Sequence, residues 1–284
     1  MKVKKQKTLL LIVLMLFFIS ETVLFFWPQI GIFINALVLN YLLISAFFDK
    51  SIRNLLLCLT IFPAARLFGF LVPNADNFFR TAFFYYFVFV LSFGCQYWLK
   101  INYGGFSFKK IKNVPLMILI GILFGFLEHW LLPSRGFNFK LSFGLASFFI
   151  LFFGYTEEFL FRGLIQRTLK KISSPFYSIL FTSLFYSVVH LANGFSHAVF
   201  VFFLSLTLST IFYLKKNIFL TTVLNTTTNI TLMALGWRLF FWKIPDKKGD
   251  KRNSKADKAE SVLSNPGSKM SQLDGQSFRM NQSH

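Results

Sequence analysis

The sequence predicts an all-α protein, a polytopic transmembrane helical bundle of about eight spans. The composition is the first reason: 55% of the residues are hydrophobic and only 14% are charged, with a mean hydropathy of +0.57. Apolar runs of bilayer length are the second reason, and the basic residues between these runs are the third. A water-soluble core cannot hide this much apolar surface, so we expect the chain to lie in a lipid bilayer.

Nine apolar stretches follow one another along the chain, each near the length that a helix needs to cross the hydrocarbon core. They are residues 8–27, 30–48, 54–72, 81–99, 114–132, 141–165, 176–192, 197–214 and 217–242. Because the stretches are continuously apolar rather than alternating, helices are favoured over the strands of a barrel. Nine complete crossings would place the basic tail and the basic N-terminus on opposite sides of the membrane. Because basic segments favour the same side, we expect that one stretch does not cross completely.

Basic residues between the apolar stretches predict the orientation in the membrane. If the N-terminus is cytoplasmic, alternation places these clusters on the same side: Lys50 and Arg53; Lys100, Lys109, Lys110 and Lys112; Arg167, Lys170 and Lys171; Lys215 and Lys216. The opposite loops carry Arg80, Arg135 and Lys140. This pattern follows the positive-inside rule, so the net charge of +19 indicates membrane lipids as partners and no nucleic acid. We expect a multi-pass protein of the cell membrane.

Composition divides the chain into three predicted parts. Residues 1–113 hold the N-terminal transmembrane helices, and residues 114–243 hold a helical core that contains most of the polar residues described below. Residues 244–284 are rich in Lys, Ser, Asn and Gln and hold few apolar side chains. Such a composition cannot bury an apolar core, so this basic tail is predicted to be disordered.

Acidic residues inside the apolar stretches are the first candidates for function, because ionisable groups at membrane depth are costly. They are Glu21, Glu128, Glu157 and Glu158. Glu21 stands alone near the outer end of its stretch, where it is expected to reach the interface or pair with a neighbouring helix. Glu128 and His129 are adjacent near an outer helix end, which indicates a rim position with access to water.

The segment from Gly154 to Gly163 places three ionisable residues within six positions of an apolar helix. Glu158 and Arg162 are four residues apart, so they share a helix face and are predicted to form an ion pair. Glu157 points in another direction and is left to face a cavity. The structural alternative is an interfacial charge cluster at a cytoplasmic helix end.

Two later helices add polar side chains. His190 is the histidine embedded in a continuous apolar segment, whereas His197 follows a Gly-Phe-Ser loop. A buried histidine can be a catalytic group or a satisfied core residue. Asn225 and Asn229 are four apart on one face of a Thr-rich helix, and the alternative for them is hydrogen bonding between helices.

These residues, in order, resemble the motifs of the CPBP family, also called Abi, which contains CAAX proteases and bacteriocin-processing enzymes. The motifs read Glu157-Glu158-x-x-x-Arg162, Tyr186-x-x-x-His190 and Asn225-x-x-x-Asn229, and the resemblance covers roughly residues 115–235. It implies an intramembrane endopeptidase, often described as a metalloendopeptidase, that cleaves a membrane-associated protein or peptide. Residues 114–243 would then be the catalytic core of this hydrolase.

The resemblance also implies roles for the motif residues. Glu157 would be the general base, His190 its partner in positioning water, and Asn229 a donor to the developing oxyanion. Glu158 and Arg162 would give structural support. If a zinc ion is present, Glu157 and His190 would be its ligands.

Two positions depart from the family pattern. Tyr186 stands where the family usually has Phe, which is a small change. Asn225 stands where the family usually has His, and an Asn side chain can donate a hydrogen bond but is a poor zinc ligand. A zinc-dependent mechanism would therefore leave this protein inactive. If Glu157 and His190 activate water and Asn225 is a catalytic residue that only stabilises the oxyanion, activity without metal is expected.

Two other functions fit the same residues. Asn225 supports a non-catalytic CPBP-like membrane protein, acting as a scaffold or in bacteriocin immunity. A proton-coupled transporter would also place Glu, His and Arg inside the membrane, but its internal repeats are not seen in the sequence.

Overall fold

The computed structural model describes residues 2–70, 77–101, 108–132 and 142–242, and within these ranges the chain is helical with no strand. The predicted all-α fold is therefore confirmed. The helices are α1 (Lys2–Phe26), α2 (Pro28–Phe48), α3 (Arg53–Phe70), α4 (Asn77–Trp98), α5 (Val114–Leu131), α6 (Phe143–Glu158), α7 (Arg167–Lys170), α8 (Pro175–Val189), α9 (Phe195–Lys215) and α10 (Ile218–Trp242). A π-helix (Phe159–Gln166) joins α6 to α7, and 3₁₀ turns lie at Phe108–Asn113 and Leu191–Asn193. The tail 244–284, Arg135 and Lys140 lie outside the described residues.

Seven of the described segments are long and apolar enough to cross a membrane, so the protein is a multi-pass membrane protein. They are Thr8–Phe26, Pro28–Phe48, Phe78–Trp98, Ile111–Leu131, Phe143–Lys170, Phe195–Lys215 and Ile218–Gly236. The apolar helix α8 has 15 residues and spans only about 22 Å at the helical rise per residue. Two of the nine predicted stretches, those of α3 and α8, are therefore not among these seven segments, whereas the sequence predicted about eight spans and one incomplete crossing.

Helix α3 lies in the interior of the bundle, although it carries Arg66 and an internal proline, Pro63. Its side chains Leu55, Leu56 and Leu59 are fully buried, and the helix packs against α2, α4 and the π-helix. Many apolar side chains on the outer surface are exposed, which suits contact with lipid chains rather than water. The polar groups of the bundle are therefore collected inside it.

Close contact with glycine residues positions α10, the helix that carries both Asn side chains. A Cβ added at Gly121 of α5 would lie 2.8 Å from the Leu224 carbonyl oxygen, and one at Gly125 would lie 2.6 Å from Thr231 Cβ. On α6, a Cβ at Gly154 would lie 2.7 Å from Thr226 Oγ1. Small residues four apart allow membrane helices to approach closely, so α5 holds α10 at short range.

We expect Gly125→Ala to destabilise the protein, because the new methyl group would meet both Thr231 Cβ and the Thr228 carbonyl oxygen, at 2.6 and 2.8 Å. Overpacking of this kind costs about 1–3 kcal/mol. Gly94→Ala on α4 is the matched control, since its Cβ would meet nothing within 4 Å and alanine favours a helix. The thermal unfolding midpoint in detergent should fall for Gly125→Ala and stay or rise for Gly94→Ala. Equal midpoints would contradict the close packing of α5 on α10.

Candidate active site

The site is built on the junction between α6 and the π-helix that follows it. All residues from Thr156 to Gln166 are buried, and π-helical segments often occur at functional sites because they turn side chains away from the regular helical register. Two side chains attach this segment to α9. Arg162 Nη2 donates to Ser205 Oγ at 2.7 Å, and Gln166 Nε2 donates to the Ser209 carbonyl at 2.9 Å.

The predicted ion pair between Glu158 and Arg162 is present. Arg162 Nη1 lies 2.9 Å from Glu158 Oε1, and both side chains are fully buried. The guanidinium also lies over the ring of Tyr186, 4.8 Å from its centroid. The arginine therefore connects the π-helix to both α8 and α9 while it neutralises a buried carboxylate.

Glu157 points in a different direction, and donors from three other structural elements surround its carboxylate. The Tyr85 hydroxyl of α4 donates to Oε1. The Tyr186 hydroxyl of α8 donates to Oε2 at 2.5 Å, and Asn225 Nδ2 of α10 donates to the same oxygen at 3.0 Å. His190, the residue that ends α8, places Nε2 3.8 Å from Oε1. That distance is too long for a direct hydrogen bond but allows one water molecule to contact both atoms.

The two Asn side chains form a short chain of hydrogen bonds behind Glu157. Asn225 Nδ2 also lies 3.4 Å from Glu158 Oε1, so this amide bridges both carboxylates. Asn229 Nδ2 donates to the backbone oxygen of Asn225 at 3.1 Å and to its Oδ1 at 3.3 Å. Asn225 thus fixes the carboxylates, and Asn229 fixes Asn225.

A second pair of acidic and imidazole side chains faces the same space. Glu128, near the end of α5, is buried, and its Oε1 lies 3.2 Å from Nδ1 of His197 in the first turn of α9. The rings of His190 and His197 are 5.7 Å apart between centroids. His197 was not a candidate from the sequence because it follows a loop. The structure brings it to the site because α8 and α9 are joined by a short turn through Gly194, whose φ is 109°.

These groups line a partly open cavity of about 550 Å³. Its polar wall includes Glu128, Glu157, His190, His197, Asn225 and Asn229, and its apolar wall includes Ile150, Phe153, Val201, Leu204 and Leu232. A second cavity, of about 250 Å³, shares Glu157 and His190 and is lined by Arg66 and Arg80. Glu157 and His190 therefore lie where two cavities meet.

Glu21 pairs with a neighbouring helix, which is one of the two arrangements expected from the sequence. Its Oε2 lies 3.2 Å from Arg66 Nη2 of α3, and the same nitrogen donates to the Val189 carbonyl at 3.2 Å. Arg66 also lies over the ring of Phe62. This pair ties α1 and α3 to the end of α8, directly before His190.

The donor set does not fit a catalytic zinc ion. Such a site uses three protein ligands from His, Cys, Asp or Glu, and in the described part of the chain no group of three such side chains converges. Glu157 and His190 supply two, and the Asn225 amide that stands beside them directs its nitrogen at Glu157. We therefore derive the chemistry of this site from its side chains and water alone.

The fold and the site define a class of protein: a polytopic helical membrane protein with buried carboxylates and partly buried imidazoles around a cavity. Residues 139–231 match the family model described as type II CAAX prenyl endopeptidase Rce1-like. The matched segment contains all three motifs, so the resemblance to the CPBP family is confirmed. Comparison with curated proteins and with solved structures gives no significant match. Tyr85 and Glu128 lie outside the matched segment.

Proposed function

We propose that the protein is an intramembrane endopeptidase of the CAAX-protease type, which hydrolyses a peptide bond in a membrane-associated protein or peptide. The observation that carries this proposal is the Glu157–His190 pair, whose Oε1 and Nε2 atoms lie 3.8 Å apart on the wall of the cavity. A base and a second hydrogen-bonding group at this distance can hold one water molecule between them.

The reaction follows from the positions of these groups. Glu157 accepts a proton from the water while His190 orients it, and the water oxygen attacks the carbonyl carbon of the substrate. The electrons of the C=O bond move to its oxygen, which becomes an oxyanion. When they return, the C–N bond breaks and the proton held by Glu157 passes to the departing nitrogen, so the carboxylate is restored.

The residues around Glu157 support this role by fixing its carboxylate. Tyr186 and Asn225 hold Oε2, and Tyr85 donates to Oε1. The second lone pair of Oε1, which lies 3.8 Å from His190 Nε2, contacts the water. Arg162 holds the π-helix to α9 and is paired with Glu158, so these two residues act as structural support. Asn229 remains the oxyanion donor proposed from its motif, although it must turn from Asn225 to reach a substrate.

The cavity favours a substrate with a large apolar group. Five apolar side chains line it together with the polar site, and its volume of about 550 Å³ lies in the range of small-molecule pockets. A peptide that carries a lipid group or bulky apolar residues would pack against these apolar side chains. We expect the enzyme to act in the cell membrane on such a peptide.

The experiment is cleavage by purified protein in lipid nanodiscs. The substrates are membrane-anchored peptides, among them a prenylated CAAX-type peptide and the same peptide without its lipid, and mass spectrometry identifies the products. We expect endoproteolytic cleavage that is lost in Glu157→Gln. Peptides that remain intact with the wild-type protein would contradict the proposal.

Asn225 favours one second candidate, a protein that binds a peptide without cleaving it. This amide occupies the position of the family's His and is bound to both carboxylates. In this case the wild-type protein and Glu157→Gln would bind the same peptide with similar affinity, and neither would release products.

We expect cleavage to be independent of added or bound zinc, because the site offers two zinc-type ligands rather than three. Incubation with 1,10-phenanthroline should leave kcat/KM within about twofold of the untreated value, and elemental analysis should find less than one zinc per chain. A known zinc peptidase, treated in parallel, is the control for the chelator. Loss of activity that zinc restores would show that a metal is required.

A further inference from the structure

A separate small cavity lies where two membrane spans end, and it shares no residue with the two cavities beside Glu157. The spans are Phe143–Lys170 and Phe195–Lys215. Because the end of a span marks the boundary between hydrocarbon and water, this cavity lies at the depth of lipid headgroups. It has a volume of about 210 Å³ and is lined by Gln166, Arg167, Lys170, Phe212, Tyr213 and Lys216.

The lining of this cavity combines positive charge with apolar surface. Arg167 is half-buried, whereas Lys170 and Lys216 are exposed. Lys170 Nζ lies 4.5 Å from the ring centroid of Tyr213, and Arg167 Cζ lies 5.9 Å from that of Phe212. Most of the accessible wall is apolar. Such a wall favours an amphiphile with a negatively charged headgroup over a small inorganic anion, which gains nothing from apolar contact.

Three of the six lining residues are cations, and none of the six is acidic. Arg167 and Lys170 belong to α7, whereas Lys216 follows the end of α9. Like charges repel one another, and the repulsion is stronger beside apolar surface than in open water. A phosphate group bound among these side chains would replace the repulsion with attraction and would accept charge-assisted hydrogen bonds. The charges therefore indicate an anionic ligand that joins α7 to α9.

The cavity continues a row of contacts that attaches the π-helix and α7 to α9. Three pairs of side chains form this row, and in each pair the α9 residue lies 43 positions after its partner. Successive pairs are four residues apart on both helices, so they lie one turn apart along one seam. The pairs are Arg162 with Ser205, Gln166 with Ser209, and Lys170 with Tyr213.

We propose that this cavity is a binding site for one anionic phospholipid, drawn from the leaflet on the side of the basic clusters. Its phosphate lies between Lys170 and Lys216, and its apolar part packs against Phe212 and Tyr213. The lipid reinforces the last pair of the row, and so it stabilises the π-helix whose first pair includes Arg162. This site goes beyond the proposed function and does not depend on it, because lipid binding requires no cleavage.

The first test compares two double variants that have the same net charge. Lys170→Gln with Lys216→Gln removes two cations from the cavity, whereas Lys171→Gln with Lys215→Gln removes their chain neighbours, which do not line it. Glutamine at position 216 keeps a side chain on the left-handed backbone, where φ is 49°. The protein is purified in a neutral detergent and titrated with dioleoylphosphatidylglycerol, and native mass spectrometry measures the bound lipid.

We expect the cavity variant to raise the Kd of the first bound lipid by about 20–30-fold, since each lysine near an anionic lipid changes affinity by about fivefold. Lys216→Gln alone should raise the Kd by about fivefold. The neighbour variant should change it by about twofold or less. Equal weakening in the two double variants would show a general attraction between lipid and the basic side of the bundle, and would overturn the proposal.

Three probes identify the ligand by their effect on the thermal unfolding midpoint. Dioleoylphosphatidylglycerol at about 100 times its Kd should raise the wild-type midpoint by about 5 °C. Dioleoylphosphatidylcholine has the same acyl chains without net charge, and inorganic phosphate has the charge without the chains, so neither should raise it by more than about 1 °C. An equal effect of the zwitterionic lipid would exclude recognition of charge, and an equal effect of inorganic phosphate would exclude a lipid site.

Hydrogen exchange tests whether the bound lipid stabilises the π-helix. Amides in residues 159–170 should exchange several-fold more slowly when the wild-type protein binds the anionic lipid, whereas those of α2 should not change. The cavity variant should show no such slowing, although its midpoint without lipid should stay within about 2 °C of wild type, because exposed lysines contribute little to stability. Lipid binding without slower exchange in residues 159–170 would overturn the stabilising role.

Discussion

Glu157→Gln is expected to lower kcat/KM for peptide cleavage by about 10³-fold or more, the scale of losing a general base in the transition state. Glutamine keeps the shape of the side chain and one oxygen that Tyr186 or Tyr85 can donate to, but it cannot accept the proton of the attacking water. The buried position of Glu157, with 9% of its surface exposed, leaves no adjacent solvent base to replace it.

Stability and substrate binding are the controls for this loss. The glutamine NH2 group would face a hydroxyl that donates to the carboxylate in the wild type, so one hydrogen bond would be lost. We therefore expect Glu157→Gln to cost about 1–3 kcal/mol of unfolding free energy. Peptide binding should stay within a few-fold of wild type. His190→Gln should reduce kcat as well, since it alters the second contact of the water. A Glu157→Gln protein that cleaves at the wild-type rate would exclude Glu157 as the base.

The local part of the site could be predicted from the sequence because helical spacing determines it. Glu158 and Arg162 are one turn apart in any helical register, and their ion pair is present. The direction of Glu157 away from that pair also follows from spacing. Spacing along one helix does not predict which residues of other helices lie next to it. Nothing in the sequence therefore indicated that Arg66 would pair with Glu21, 45 positions away.

Aromatic hydroxyls were missed for a different reason. Tyr85 lies in a helix crowded with Phe, and among 42 Phe and 9 Tyr residues a single hydroxyl gives no signal. Tyr186 was considered as a small departure from Phe, but its hydroxyl donates to Glu157 and its ring lies against Arg162. The prediction of a small change was incomplete because it considered the ring and not its polar end.

The histidines show the limit of judging a residue by its local surroundings. His190 drew attention because its flanking residues are apolar, and His197 did not because it follows a loop. In the fold, the short turn between α8 and α9 brings both rings to one cavity wall. The turn that reverses the chain direction between α8 and α9, rather than the hydropathy of either helix, determines that these two side chains share a site.

Arg162→Met is expected to cause the largest loss of stability, about 3–5 kcal/mol of unfolding free energy, because it leaves the fully buried Glu158 carboxylate without its counter-ion. It also removes the donor to Ser205 Oγ and so loosens the π-helix from α9. Titration with SDS in mixed micelles measures the change. Arg167→Met is the matched control: Arg167 begins α7, five positions after Arg162, and is half-buried, and we expect its loss to cost about 1 kcal/mol or less.

A double variant distinguishes a buried charge from lost packing. Glu158→Gln with Arg162→Met removes both charges, so it should recover most of the stability that Arg162→Met loses, because the penalty arises from one uncompensated ion rather than from the absence of the pair. Asn225 can donate to the new amide oxygen as it does to the carboxylate. A double variant as unstable as Arg162→Met would mean that the contacts of Arg162 with Tyr186 and Ser205, and not its charge, hold the π-helix in place.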